Sequence, residues 1–217
     1  MDFEAARRIM VDSQIRPNDV TDPDIVRAFL KVPREAFLPS SKRSIAYSEL
    51  EIKTGDSRAM WLPRDIGKML IALEPGPSDV AMVIGAGAGY EAALLATLTE
   101  TVIAIEDDEA GVDAMTDRMS RLGLDQVAAI RAPLPDGLPD QGPFDLILIC
   151  GMVEAVPDSL TGQLADGGRL GVVVQSDAAL GKARIYTCSG NTVAHREVFD
   201  CRPPKFDTFN TPKSFVF

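Results

Sequence analysis

The sequence predicts an α/β fold: a mainly parallel, seven-stranded sheet with helices on both faces and an N-terminal helical cap. Three observations predict it. From Asp79 onward, short apolar runs alternate with helical segments, the pattern of right-handed βαβ units. A glycine-rich turn joins the first apolar run to a helix. The first third of the chain has helical spacing. A chain of 217 residues is long enough for one domain, with 1–73 as cap and 74–217 as α/β core.

In chain order, Ala5, Ala6, Ile9, Met10 and Ser13 keep a helical period that ends at Pro17. Thr21, followed three residues later by Asp24, reads as the cap of a helix through about Leu30. Val32-Pro33-Arg34-Glu35 breaks it and starts a short new turn. A loop over 40–63 precedes a helix from Arg64 to Leu73. The strands expected are 80–84, 101–105, 127–130, 146–150 and 170–174, with helices at 90–98, 110–122 and 159–164. Residues 183–188 and 192–199, joined around Gly190-Asn191, read as a closing antiparallel pair.

Composition narrows the function classes. The formal net charge is −10, and it is carried by residues 71–217, because the first 70 residues are nearly neutral. An acidic surface repels phosphate backbones, so nucleic acid is not an expected partner; the near-neutral N-terminal part is compatible with an acidic peptide. No apolar run approaches the ~20 residues of a membrane helix, and Met1-Asp2-Phe3-Glu4 does not resemble a signal peptide. A cytoplasmic protein without a membrane partner is expected. Cys150, Cys188 and Cys201 are too few and too scattered for a zinc cluster or disulfide framework, and with His195 the only histidine, no metal site is expected.

The run from Val80 to Tyr90 reads strand, glycine turn, helix, with Gly85, Gly87 and Gly89 at alternate positions. Glycines let the main chain turn tightly and let a ligand approach it, while a helix start offers free N–H groups. Dinucleotide enzymes use G-x-G-x-x-G; the G-x-G-x-G spacing here resembles that of methyltransferases, whose ligand carries no phosphate. Such a turn also serves as a plain strand–helix connection. Glu106 ends the next strand, 17 residues after Gly89, and a carboxylate there suits the two hydroxyls of a ribose. The alternative is that Glu106 belongs to the acidic stretch through Glu109 that caps a helix.

From about Met10 to Val174 the chain resembles the protein-L-isoaspartate O-methyltransferase family. The resemblance rests on Met10-Val11-Asp12-Ser13-Gln14-Ile15-Arg16, on Val32-Pro33-Arg34-Glu35-Ala36-Phe37-Leu38-Pro39 with Ala46-Tyr47, and on the turn from Gly85 to Ala92. It continues with Pro143-Phe144-Asp145 and with Leu160 to Leu164 followed by Gly167-Gly168-Arg169-Leu170. It implies a class I, Rossmann-like methyltransferase fold, S-adenosylmethionine as cofactor, and methyl transfer to a carboxylate of a protein or peptide, an isoaspartyl residue in the family's repair reaction. Carried over, Gly85, Gly87 and Gly89 would border the methionine portion and Glu106 would hold the ribose.

Three departures qualify that expectation. The family's G-x-T-I-S-x-P loop is replaced by Gly55 to Pro63, longer by two residues; the serine falls on Ala59 or Trp61 depending on the end counted from, and Ser57 is the nearest hydroxyl. No catalytic residue is therefore assigned. Val83 stands where the strand before the turn usually has an acid, and Ala132-Pro133-Leu134 replaces the Gly-Asp-Gly at the adenine, with Asp136 the nearest acid to reach back. Arg58 in the rebuilt loop either pairs with an acceptor carboxylate or is solvated while Trp61 packs the loop down. The second function class is an adenosyl-binding or protein-interaction module that keeps the fold without catalysis. His195 reads as a surface or packed residue, and Cys150 as a buried, inert thiol.

Overall fold

A computed structural model describes residues 1–55, 58–176 and 180–210. Asp56 and Ser57 lie outside the described residues, and with them the nearest hydroxyl substitute in the rebuilt loop.

The N-terminal part is helical, with two departures from the expected boundaries. Helix α1 (Phe3–Met10) is capped by Asp2, whose side chain accepts from the Ala5 amide at 3.0 Å. The chain then widens into a π turn at Val11–Ile15 and tightens into a 3-10 turn at Arg16–Asn18, since Pro17 has no N–H with which to continue an α-helical ladder. Helix α2 (Pro23–Lys31) is capped by Asp22 rather than Thr21. The Asp22 carboxylate accepts from the Asp24 and Ile25 amides at 2.9 and 3.0 Å, which leaves Pro23, with its preset φ, in the first helical position.

The expected loop over 40–63 contains structure: a 3-10 segment at Ser40–Ile45 and a two-residue antiparallel ladder of β1 (Ile52–Lys53) with β2 (Ala59–Met60). Arg34 fastens this region. It is fully buried, its Nε donates to the Ala46 carbonyl at 2.8 Å, and its Nη2 donates to the Trp61 carbonyl. Helix α3 (Pro63–Leu73) follows.

The core sheet has seven strands: β3 (Val80–Ile84), β4 (Thr101–Glu106), β5 (Val127–Arg131), β6 (Phe144–Val153), β7 (Leu164–Val174), β8 (Gly181–Ser189) and β9 (Thr192–Cys201), in the order β5-β4-β3-β6-β7-β8-β9. The first five are mutually parallel; β8 and β9 are antiparallel additions. Helices α4 (Tyr90–Ala96) and α5 (Glu109–Leu122) form the crossovers, and α6 (Asp158–Thr161) is a single turn. Consecutive residues Ala81–Ile84 and Leu146–Ile149 are fully buried, which requires cover on both faces of the sheet. The fold is therefore the expected class. β7 begins six residues before the expected position and takes the end of the expected helix. Gly168 makes this possible, because a Cβ there would lie 2.9 Å from the Phe144 carbonyl oxygen.

Sheet order positions the site. β3 has β4 on one side and β6 on the other, so the direction in which successive strands are added to the sheet reverses at β3, and the crevice at the carboxyl ends of β3, β4 and β6 is where open α/β sheets take ligands.

Candidate active site

The glycine turn leaves β3 into that crevice. Gly85, Gly87 and Gly89 all have left-handed φ values of 66°, 57° and 89°, a region costly for residues with a Cβ. The Gly85 and Ala86 amides donate to the Ile105 carbonyl of β4, which ties the turn to the strand that delivers Glu106. The three glycines differ in what they face. A Cβ on Gly85 would collide with the ring of Phe206, and one on Gly87 would touch the Arg58 side chain at 3.5 Å. One on Gly89 would lie 2.5 Å from Cε of Met119 and 3.1 Å from Met115. Gly85 thus lies under the Phe206 ring and Gly87 under the Arg58 side chain at the crevice, whereas Gly89 lets α4 pack closely on α5.

Glu106 is the last residue of β4 and is 2% exposed. Its Oε1 accepts from the Gly87 amide, so glycine turn and carboxylate are joined directly. Arg58 holds the rest of the group: Nε lies 2.9 and 3.2 Å from the two oxygens and Nη2 lies 2.7 Å from Oε2, while Nη2 also reaches Oδ1 of Asp107 at 3.1 Å. The guanidinium is 4.7 Å from the centre of the Phe206 ring. Burial alone would lower the Arg58 pKa, but the bonds to Glu106 outweigh it and hold the group above its ordinary value. Arg58 is therefore not solvated, contrary to the alternative in which only Trp61 packs the loop; its side chain is 16% exposed.

Phe206 comes from a segment that sequence reasoning did not single out. The Met152 amide donates to the Pro204 carbonyl at 2.7 Å, and the Phe206 amide donates to the Met152 carbonyl at 2.9 Å. This pairing beyond the expected end of β6 lays the ring against Gly85 and against Gly151, where a Cβ would lie 2.7 Å from it. Pro203-Pro204 and an isolated aromatic were the available signal, and neither specifies a partner.

Trp61 is buried and its Nε1 donates to the Cys150 carbonyl at 3.1 Å, so it packs the rebuilt loop onto the sheet edge. Neither Ala59 nor Trp61 supplies the missing hydroxyl. Burial pushes the Cys150 thiol well above its usual pKa, and the charges of Glu91 and Glu106 push it further, which leaves no reactive thiolate at neutral pH. Val83 and Leu134 are core residues. Asp136 is exposed, and its carbonyl accepts from Gln163 Nε2 at 2.8 Å, which ties its turn to the α6 side rather than to Glu106. His195 lies on edge strand β9, its ring centroid 5.0 Å from that of Tyr186.

A cavity of about 910 Å³ opens between the Pro33–Pro39 stretch and α5, and includes Arg58, Gly87 and Glu106 in its wall. Its carboxylates have internal partners: Glu35 bonds Arg7 and Tyr47, Glu106 bonds Arg58, and Asp108 caps α5 through the Gly111 amide. Its arginines do not all meet a carboxylate: Arg43 donates to the Leu38 carbonyl, Arg118 to those of Ala36 and Ala88, and Arg121 to that of Asp117. Arg43, Arg118 and Arg121 form no salt bridge among the described residues. Burial and the neighbouring charge of Arg121 lower the Arg118 pKa, as expected where no anion compensates.

With this geometry in view, the sequence profile described as "Protein-L-isoaspartate(D-aspartate) O-methyltransferase (PCMT)" matches residues 6–198. The chain belongs to this family. Among its relatives, the protein-L-isoaspartate O-methyltransferase of Roseiflexus castenholzii is 35% identical over 202 residues, covering 93% of this chain and 92% of the relative. Protein-L-isoaspartate O-methyltransferase 1 of Rhodopseudomonas palustris is 33% identical, covering 92% and 82%. A solved protein-L-isoaspartate O-methyltransferase superposes with a TM-score of 0.81 at 22% identity over 94% of this chain, which spans 65% of that protein. A Plasmodium falciparum structure, titled a putative member and in complex with S-adenosyl-L-homocysteine, superposes with a TM-score of 0.79 at 18% identity, covering 96% and 99%. The structural likenesses carry the fold; the sequence matches carry the family.

Proposed function

We propose that this member of the protein-L-isoaspartate O-methyltransferase family uses S-adenosylmethionine to methylate a carboxylate on damaged polypeptide chains. The observation that carries the site assignment is the joined pair of Gly87 and Glu106 at the point where strand order reverses in the sheet. The residues present fit an adenosyl group. The Glu106 carboxylate accepts a pair of N–H donors from one planar group, as it would accept two ribose hydroxyls, and Gly85 and Gly151 admit a flat ring against the main chain. Gly85, Gly87 and Glu106 would hold the cofactor, with the acids lost at Val83 and at Ala132-Pro133-Leu134 uncompensated by Asp136.

When bound, S-adenosylmethionine supplies a methyl group on a sulfonium that leaves as a neutral thioether. A carboxylate acceptor is ionised at neutral pH, so no residue of this chain has to remove a proton, and the missing serine hydroxyl affects positioning alone. One such hydrogen bond is worth about 1–3 kcal/mol, or roughly a ten- to hundredfold rate effect. Orientation is the main work: Glu106 fixes the ribose, and Trp61 holds the loop over the sheet edge and excludes water.

The polypeptide acceptor lies in the cavity between Pro33–Pro39 and α5, where Arg43, Arg118 and Arg121 give a positive field in a protein of net charge −10. Acidic residues flanking the acceptor complement that field. Incubation with an isoaspartyl peptide should add one methyl group by mass, more efficiently with acidic than with basic flanks. No methyl gain on any isoaspartyl peptide would refute the activity, and equal rates with both flanks would refute the flank preference. The second reading, an interaction module, is favoured by one observation: Arg58 and Phe206 fill the crevice.

A further inference from the structure

Arg58 is the side chain that the rebuilt loop sends into the crevice, and it takes the carboxylate assigned to the ribose. Its contacts are specific. A bidentate pair joins it to Glu106, a third bond reaches Asp107, its hydrocarbon stem lies over Gly87, and its guanidinium faces the Phe206 ring. The pair is largely dry, with side-chain exposures of 16% and 3%. A ribose and this guanidinium cannot occupy the same oxygens of Glu106. Binding of an adenosyl group must therefore displace Arg58 from Glu106, and the guanidinium, still within reach of the more exposed Asp107, gains most from a new anion in the half-enclosed cavity.

We propose that Arg58 is a partner-exchanging residue: it closes Glu106 in the free protein, and once the ribose takes Glu106 it turns to the carboxylate of the methyl acceptor. This rests on the function proposed above. The acceptor presents the planar, two-oxygen group that a guanidinium pairs with best. The exchange makes cofactor binding a condition for acceptor binding, and gives the rebuilt loop a positioning residue of a different chemistry from the family's serine. The ligand-competent state is the one with Arg58 withdrawn, so apparent cofactor affinity is reduced by the fraction of molecules that remain closed.

The test uses titration calorimetry with S-adenosylhomocysteine and fluorescence anisotropy with a labelled isoaspartyl peptide. In the wild-type protein the peptide should bind only after S-adenosylhomocysteine is added. In Arg58→Ala, S-adenosylhomocysteine should bind about tenfold or more tightly, while the peptide should bind the loaded protein about tenfold or more weakly. Arg58→Lys, which keeps the charge but loses the fork, should fall between the two for both ligands and controls for a loop that refolds in the alanine variant. An unchanged or weakened S-adenosylhomocysteine affinity in Arg58→Ala, beside clear wild-type binding, overturns the exchange and leaves the methyltransferase reading standing. Unchanged peptide affinity in the loaded variant also overturns it. If neither protein binds S-adenosylhomocysteine, both readings fall.

Discussion

Glu91, on the first turn of α4, is 3% exposed, and its Oε1 has no hydrogen-bond partner. Burial raises its pKa above the ordinary glutamate value, with the charge of Arg34 opposing. A group with a raised folded-state pKa stabilises the fold fully below its unfolded pKa, and that contribution is lost as pH rises through the folded value. Glu91→Gln removes this titration. The variant should gain about 1–3 kcal/mol at pH 8, a Tm rise of roughly 2–4 °C per kcal/mol, and distinctly less at pH 5; a gain independent of pH would show that Glu91 does not titrate in the fold. The same residue scale shows what the sequence carries. Glu106 was legible because its distance from the glycine turn follows from the length of one helix and one strand. Its partner was not: Arg58 is 48 residues away, and only tertiary packing decides whether a loop arginine meets solvent or a carboxylate. The alternative in which Arg58 is solvated failed for that reason, while its companion, Trp61 packing the loop, held.

At the scale of elements, strands and crossover helices were legible because apolar runs and glycine stops are local. Errors fell where long-range contacts extend an element: the Pro204–Phe206 segment pairs beyond the expected end of β6, and β7 starts early through Gly168. The cap of α2 was displaced by one residue because Pro23 settles the start. Asp22→Ala should cost about 1 kcal/mol and leave S-adenosylhomocysteine affinity unchanged; a thermal melt and a titration check both. Gly89→Ala places a Cβ in a left-handed conformation and against Met115 and Met119. It should destabilise by about 2 kcal/mol or more, through the packing of α4 on α5. A melting temperature equal to wild type would return Gly89 to a role at the crevice alone.

At the scale of the molecule, the buried apolar residues form one cluster from Met10 to Phe209, so cap, loop and sheet share a core and the crevice is walled by all three. No helix among the described residues is long and apolar enough to cross a membrane. The cavity arginines do not follow the uneven charge of the sequence, since Arg118 and Arg121 come from its acidic part, and their convergence with Arg43 from the Ser40–Ile45 segment could not be read from composition. Arg121→Glu, on the exposed edge of α5, should weaken binding of acidic-flanked peptides and abolish their advantage over basic-flanked ones, with cofactor affinity unchanged; a retained preference would move the acceptor elsewhere.

The measurement that reaches the central claim most directly is calorimetric titration of S-adenosylhomocysteine into the wild-type protein and into Glu106→Gln. Saturable binding in roughly the micromolar range, weakened roughly ten- to a hundredfold in the variant, is the result this structure predicts. No heat from the wild type at roughly millimolar ligand, or equal affinity in the two proteins, would contradict it.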